Sequence, residues 1–195
     1  MGRLSDISLA TQVAVLGNRR AFDQLVRQYQ SPVRRFFLSQ TLGNEALSDD
    51  LSQDTFLKAY THIGQYRGTS SLLTWLTRIA YNVWYDHCRS TAVRQRSEDG
   101  LAAGGTRTSA PAENSALVAD TSESGTNAAL RSDIYGALRL LRDDERTCIT
   151  LQLIDGYAIG EISTITGLPQ NTVKSHLKRG KEKLANYLRQ NGYDR

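Results

Sequence analysis

The sequence predicts an all-α fold made of two small helical domains joined by a flexible linker. Apolar residues recur at intervals of three and four both before residue 97 and after residue 129, which is the helical period. The stretch between them has no period, and no strand-like alternation competes with the helices. We therefore expect domains at residues 1–96 and 130–195, with a linker at 97–129.

Three helices are predicted in the first domain, near residues 19–42, 44–63 and 71–94. In the third, a buried stripe is formed by Leu72, Leu76, Ile79 and Val83. Glycines at 43, 64 and 68 separate the three segments, since glycine commonly follows a helix end. These helices predict a bundle.

The predicted linker reads SEDGLAAGGTRTSAPAENSALVADTSESGTNAA and has no aromatic residue. Such a composition buries too little apolar surface to offset the entropy of ordering the chain. We expect it to be flexible and the two domains to behave as separate modules.

Four helices are predicted in the second domain, near residues 130–141, 144–154, 159–166 and 170–188. Gly167 can take the positive φ that ends the third helix, and Pro169 suits the start of the fourth. Val173, Leu177, Leu184 and Leu188 share one side of the last helix, which leaves its cations on the other. This pattern predicts a helix-turn-helix whose second helix enters the DNA major groove. The alternative is a basic amphipathic helix with solvated lysines, packed on a bundle.

The formal charge of +4 at pH 7 fits a nucleic-acid partner but does not require one. No basic start followed by a long apolar run is present, so we expect a cytoplasmic protein without membrane insertion. Cys88 and Cys148 lack Cys or His neighbours at ligand spacing, and we expect no metal and no cofactor.

Residues 50–60, DLSQDTFLKAY, and 66–89, YRGTSSLLTWLTRIAYNVWYDHCR, resemble region 2 of the extracytoplasmic-function RNA polymerase sigma factors of the sigma-70 family. Residues 156–184, GYAIGEISTITGLPQNTVKSHLKRGKEKL, resemble region 4.2 of the same family. Both segments occur in the family's order. The resemblance implies a non-enzymatic protein that gives core RNA polymerase its promoter specificity, and an anti-sigma factor is a further possible partner by analogy.

The resemblance also implies roles for individual residues. Docking on the β′ clamp helices of core polymerase would fall to Asp50, Gln53, Asp54 and Leu57, while the second domain would meet the β flap. A loop that accepts a base flipped from the minus-ten element would comprise Tyr66, Arg67, Gly68, Thr69, Ser70 and Ser71. The helix face that follows it would meet minus-ten DNA through Arg78, Asn82, Asp86 and Arg89. Contacts to the minus-thirty-five element would come from Thr172, Lys174, Ser175, His176, Lys178 and Arg179.

Three positions depart from the family pattern: Tyr66 replaces a frequent Phe, Thr69 a usual acidic residue, and His176 a common Arg. These differences bear on which promoter is read. Trp75 and Trp84 could be interpreted as side chains that insert between bases during strand separation. Tryptophan at helical spacing instead favours a core position for each.

Two other classes of function compete with this interpretation. An enzyme is disfavoured because His62, His87 and His176 lie on separate segments without ligand spacing, and neither a P-loop nor a G-x-S-x-G elbow occurs, so we expect no catalytic residues. A conventional helix-turn-helix regulator, with an N-terminal sensing or dimerisation domain, would explain the second domain. It would have no reason to carry the region 2 resemblance.

Overall fold

The computed structural model describes the backbone of residues 3–101 and 125–192, and the side chains of 4–94 and 130–192. The N-terminal module contains α1 (Arg3–Leu16), α2 (Arg19–Gln40), α3 (Glu45–His62), a 3-10 turn (Ile63–Gln65) and α4 (Leu72–Leu101). The C-terminal module contains α5 (Gly125–Arg139), α6 (Asp143–Ile149), a π-helical turn (Thr150–Ile154), α7 (Ile159–Thr166) and α8 (Gln170–Gln190). No strand occurs in these ranges, which confirms the all-α prediction.

Helix α1 was not predicted. Its buried face is short, comprising Ala10 and Val13, whereas Leu4, Val15 and Leu16 are exposed. Because its apolar residues lie on several faces, the segment has little helical amphipathicity, and periodicity alone could not reveal it. The helix packs on α2, the 3-10 turn and α4.

Asparagine caps set the starts of α2 and α3. The side-chain oxygen of Asn18 accepts a hydrogen bond from the Ala21 N–H at 3.3 Å, and that of Asn44 accepts from the Leu47 N–H at 3.0 Å. Each cap satisfies a backbone donor that lacks an intrahelical partner. Leu25, Ala59 and Leu72 then close the core between α2, α3 and α4.

The C-terminal module is built around a close approach of α6 and α8. A Cβ placed at Gly180 on α8 would lie 2.6 Å from Cγ1 of Ile149, so only glycine fits there. Beside this contact, the buried Glu145 carboxylate accepts a hydrogen bond from Lys183 Nζ at 2.6 Å. Of the four apolar residues predicted to line one side of α8, Val173 and Leu177 are buried, but Leu188 is 43% exposed because it lies near the helix end.

The predicted linker overlaps two helices at its ends. Helix α4 continues to Leu101 and α5 begins at Gly125, so five residues on each side of the predicted segment are helical. Extending an existing helix requires no new nucleus, which lets a polar sequence continue it. The rest of the predicted linker, 102–124, lies outside the described residues.

The two modules pack against each other, which differs from the expectation of separate modules. One core cluster includes Tyr81 and Trp84 of α4 together with Leu138 of α5 and Cys148 of α6. Tyr135 of α5 also covers the turn after α2, where its ring would lie 2.7 Å from a Cβ at Gly43. The module contact arises because α2 and α4 each carry a second apolar face that the N-terminal bundle leaves uncovered.

Polar contacts also join the modules. Arg35 on α2 pairs with Asp155 at 2.8 Å, and the hydroxyls of Thr77 and Tyr157 lie 3.0 Å apart. At the end of α2, Thr147 donates to Gln40 Oε1 at 3.1 Å. These contacts hold the C-terminal module on α2 and α4.

A single guanidinium serves helix ends in both modules. Arg146 donates to the carbonyl of Leu138 in the last turn of α5, to that of Leu141 in the turn that follows, and to that of Gln40 at the end of α2. The last carbonyls of a helix lack intrahelical donors and carry partial negative charge, so a cation suits them. Arg146 therefore stabilises the C-terminal module and its contact with the N-terminal module at once.

Candidate functional site

Helix α4 has three distinct faces. The first, Leu72, Leu76, Ile79 and Val83, packs into the N-terminal bundle, as the apolar spacing predicted. The second faces the C-terminal module, and the third is exposed. At 100° per residue the centres of these faces lie roughly 120° apart. One helix thus serves as core, module interface and free surface.

The exposed face of α4 carries the predicted minus-ten residues. Arg78, Asn82, Asp86 and Arg89 are all exposed. Asp86 accepts a hydrogen bond from Lys58 of α3 at 3.3 Å, and both side chains are largely exposed. This exposed face offers the guanidinium groups of Arg78 and Arg89 for phosphates, and the amide of Asn82 can bond a base edge.

The loop before α4 has a defined shape. Tyr66 Oη donates to the carbonyl of Ser70 at 2.9 Å, and Gly68 adopts φ +68°. Ser71 accepts a hydrogen bond from the Thr74 N–H at 3.0 Å, which caps α4. Arg67, Thr69 and Ser71 are exposed. The loop therefore presents a cation and hydroxyls around a glycine that permits close approach.

The two tryptophans differ in their surroundings. Trp84 is 9% exposed and lies on the α4 face that meets the C-terminal module. Trp75 is half-buried, with its ring 5.7 Å from that of Tyr66. The core position favoured for Trp84 is confirmed, and Trp75 is partly buried against the core of the N-terminal module.

The predicted docking residues of α3 share one exposed face. Asp50, Gln53, Asp54 and Leu57 are exposed, and Leu57 is 66% exposed. Gln53 and Leu57 border a groove of about 1010 Å³ between α2 and α3, with an apolar lining that includes Phe22, Val26, Leu38 and Phe56. At its rim, Arg34 pairs with Asp49 at 2.6 Å. An exposed leucine beside an apolar groove and a polar rim suits docking of a partner helix.

The helix-turn-helix has the predicted geometry. Gly167 ends α7 at φ +73°, and α8 begins directly after Pro169. The hydroxyl of Ser163 donates to the carbonyl of Leu168 at 2.6 Å, which braces the turn. Ile162 and Ile165 are buried beneath it. The short helix thus supports α8 in a fixed orientation.

Helix α8 presents its cations outward. Lys174, Ser175, Lys178 and Arg179 are exposed, while Thr172 and His176 are half-buried. The Ser175 hydroxyl donates to the carbonyl of Asn171 at 2.9 Å, and His176 Nδ1 is buried without a hydrogen-bond partner. The four exposed residues form one surface, and His176 borders it.

The described residues hold no group of His, Cys, Asp and Glu that could bind a metal ion. Burial raises the pKa of Cys88 to about 11 and that of Cys148 to about 12, so both thiols stay protonated at neutral pH. No helix in the part of the chain that the structure describes is long and apolar enough to cross a membrane.

Comparison with known proteins decides the family. Residues 25–94 match the model for Sigma-70 region 2, and residues 131–184 match that for Sigma-70 region 4. An ECF RNA polymerase sigma-E factor of Haemophilus influenzae is 30% identical over 192 residues, covering 95% of this chain and 96% of the relative. The chain belongs to the extracytoplasmic-function sigma factors. Like its family, this sigma factor directs promoter-specific initiation of transcription.

Other similar proteins are also sigma factors. The RNA polymerase sigma-H factor of Pseudomonas aeruginosa is 31% identical over 170 residues, covering 85% of each chain. Sigma factor SigW of Bacillus subtilis is 30% identical, covering 89% of this sigma factor and 91% of SigW. These relatives are transcription factors and not enzymes.

Solved structures share the fold. The sigma factor RpoE from Bartonella quintana, in complex with the anti-sigma factor NepR, matches with a TM-score of 0.66 and 25% identity, covering 89% of this chain and 98% of that chain. CnrH, in complex with the cytosolic domain of CnrY, matches with a TM-score of 0.65 and 24% identity, covering 94% and 97%.

Sequence reasoning favoured a core position for Trp84 but missed the rest of the α4 face toward the C-terminal module. Thr77, Tyr81, Trp84 and Cys88 recur at intervals of four, three and four, which is a helical signal. Burial raises the pKa of Tyr81 to about 12, and the nearby Asp144 of α6 adds to the effect. Because the stripe includes polar residues, its helical spacing was not recognised as a buried face.

Proposed function

We propose that this sigma factor binds the β′ clamp helices of core polymerase through Asp50, Gln53, Asp54 and Leu57. The support is the exposed Leu57 beside the groove between α2 and α3. A central apolar residue surrounded by polar groups is the usual anatomy of a binding hot spot. The C-terminal module would in turn meet the β flap.

Promoter DNA is proposed to meet two surfaces, one on each module. The loop at 66–71 and the exposed face of α4 bind the opened minus-ten element, and the exposed face of α8 binds duplex minus-thirty-five DNA. The observation that carries this proposal is that α4 and α8 each present an exposed face with cations and polar side chains. The chain itself hydrolyses nothing in this scheme, since binding energy drives strand opening.

The minus-ten and minus-thirty-five elements of a promoter are too far apart to be bound at the same time by modules packed as in this structure. Their names place them about 25 base pairs apart, or about 85 Å at 3.4 Å per base pair. Helix α8 packs on α6 and α7, and these pack on α2 and α4, so α8 lies two helix layers away. At 8–10 Å per layer this is only about 20 Å. The modules must therefore separate on the promoter.

We propose that residues 97–129 act as the linker between domains at 1–96 and 130–195 in that separated state. The 23 residues between Leu101 and Gly125 can span about 75 Å when extended, at roughly 3.3 Å per residue. Polymerase would hold the modules at promoter spacing, which makes the second DNA contact effectively intramolecular.

An anti-sigma factor is proposed as a regulatory partner, acting in the cytoplasm with polymerase. The support is that the similar RpoE was solved with the anti-sigma factor NepR. The alternative, a conventional helix-turn-helix regulator, is disfavoured because residues 25–94 match Sigma-70 region 2.

The function is tested by transcription with purified core polymerase on a promoter library. The wild-type chain should direct defined start sites, and Leu57→Ala should weaken polymerase binding about tenfold, which corresponds to losing ~1.4 kcal/mol. Leu4→Ala is the matched control, because Leu4 is 84% exposed on α1, away from the groove. Specific promoter binding without polymerase would contradict the proposal.

Asn82→Ala separates DNA opening from polymerase binding. It should reduce promoter opening while leaving polymerase association unchanged, because Asn82 is exposed on α4 and does not line the groove beside Leu57. Loss of association in this variant would contradict the proposed division of roles.

A further inference from the structure

Helix α1 lies outside the segment that matches Sigma-70 region 2, which begins at residue 25. It packs against the 3-10 turn that leads into the loop at 66–71, and against α2 and α4. Its position beside the proposed minus-ten loop suggests a role beyond covering the bundle.

The helix is held in place by a buried carboxylate. Asp6 is 6% exposed and accepts hydrogen bonds from Tyr29 Oη at 2.7 Å and Gln28 Nε2 at 3.2 Å, both on α2. Burial raises the pKa of Tyr29, and the hydrogen bond to Asp6 adds to that effect, so the phenol remains a donor. Hydrogen bonds to a buried carboxylate are strong and directional. These hydrogen bonds fix the position of α1 along its axis and its rotation about that axis.

The next residue, Ile7, touches the loop. A Cβ placed at Gly68 would lie 3.1 Å from Ile7 Cδ1 and 3.4 Å from Ile7 Cγ1. The Ile7 side chain therefore lies directly over the backbone of Gly68, with no room for another side chain between them. Gly68 is the loop residue with a left-handed φ of +68°.

We propose that Ile7 is a positioning residue for recognition of the minus-ten base, an inference that rests on the proposed function. Asp6 anchors α1, and Ile7 holds Gly68 in its left-handed conformation before DNA arrives. A loop ordered in advance loses less conformational entropy when it receives a flipped base. Ile7 thus acts through the loop and need not touch DNA.

The test compares two promoter templates, one natural and one with an abasic site at the flipped position. Holoenzyme with Ile7→Ala should open the natural template five- to tenfold less well than wild type, measured by permanganate reactivity. On the abasic template, where the loop has no base to hold, the two proteins should open DNA equally. Val15→Ala is the control, because Val15 is 73% exposed on the same helix and should change neither result.

Two outcomes would overturn the proposal at different levels. If wild type discriminates between the templates but Ile7→Ala loses equal activity on both, the residue is merely structural. If wild type opens both templates equally, base trapping by this loop is wrong, and the positioning role falls with it. Should Ile7→Ala fail to fold, Ile7→Val removes only Cδ1, the atom nearest Gly68, and should give a smaller loss confined to the natural template.

Discussion

Glu145 shows how one buried charge is stabilised by its neighbours. Burial alone would raise its pKa, but the hydrogen bonds from Lys183 and from the Arg142 N–H outweigh burial and lower the pKa below the ordinary glutamate value. A carboxylate with a lowered pKa in the folded state stabilises the fold above its ordinary pKa, and this stability is lost as the pH falls through the folded value.

We predict that Glu145→Gln lowers the free energy of unfolding at pH 7 by about 1–2 kcal/mol, less than for a fully buried pair because Lys183 is 39% exposed. The difference from wild type should shrink as the pH falls below the ordinary glutamate range, because the wild-type carboxylate becomes protonated there. Urea unfolding across pH measures this. Glu182→Gln, at an exposed glutamate of α8, is the control, and a pH-independent difference would contradict the prediction.

Arg179 belongs to the exposed cationic surface of α8. Arg179→Ala should weaken promoter binding by the holoenzyme and reduce the slope of log affinity against log salt by about 1, the value for one lost phosphate contact. Anisotropy titrations at several salt concentrations measure both effects. Arg189→Ala, near the far end of the helix, should leave the slope unchanged, and an unchanged slope for Arg179→Ala would exclude the phosphate contact.

At the scale of elements, the helical period of the apolar residues and the glycines and proline between segments located seven of the eight described helices. The turn between α7 and α8 was predictable to the residue, because Gly167 and Pro169 each have a backbone preference that fits only one place. Helix α1 could not be predicted, since its apolar residues do not share a face. The docking groove was also beyond prediction, because α2 contributes residues that belong to no recognised motif.

Gly167 offers a test of the turn. A Cβ there would meet no atom within 4 Å, so the cost of Gly167→Ala comes from the backbone alone. Its φ of +73° should make the substitution destabilising by about 1 kcal/mol in urea unfolding. Gly160→Ala in α7 should instead stabilise by about 0.5–1 kcal/mol, since the nearest atom would be 3.8 Å away. Equal effects of the two changes would contradict this account.

At the scale of the whole molecule, packing of the modules could not be foreseen from the sequence. The contact uses a stripe with polar members, Thr77 and Cys88, and side chains such as Arg35 and Asp155 that are distant in sequence. The buried Gln40 Nε2 has no hydrogen-bond partner at this interface. An unpaired buried donor costs about 1–3 kcal/mol, which offsets part of the stability of the module contact.

We predict that Asp155→Asn combined with Tyr157→Phe expands the free chain. Each lost contact is worth about 0.5–1.5 kcal/mol, so the ratio of packed to separated chains should fall roughly tenfold. Small-angle scattering should then show a larger radius of gyration than for wild type. Asp49→Asn breaks an ion pair within the N-terminal module and should leave the scattering unchanged. Identical curves for the double variant and wild type would contradict the prediction.

The burial of Trp84 has a practical consequence. Its indole lies on the α4 face that the C-terminal module covers, whereas Trp75 rests against Tyr66 within the N-terminal module. Separation of the modules would bring water to the first ring and leave the second unchanged. The protein therefore carries its own optical reporter, and a red shift of intrinsic emission upon mixing with core polymerase would record the opening in real time without any attached dye.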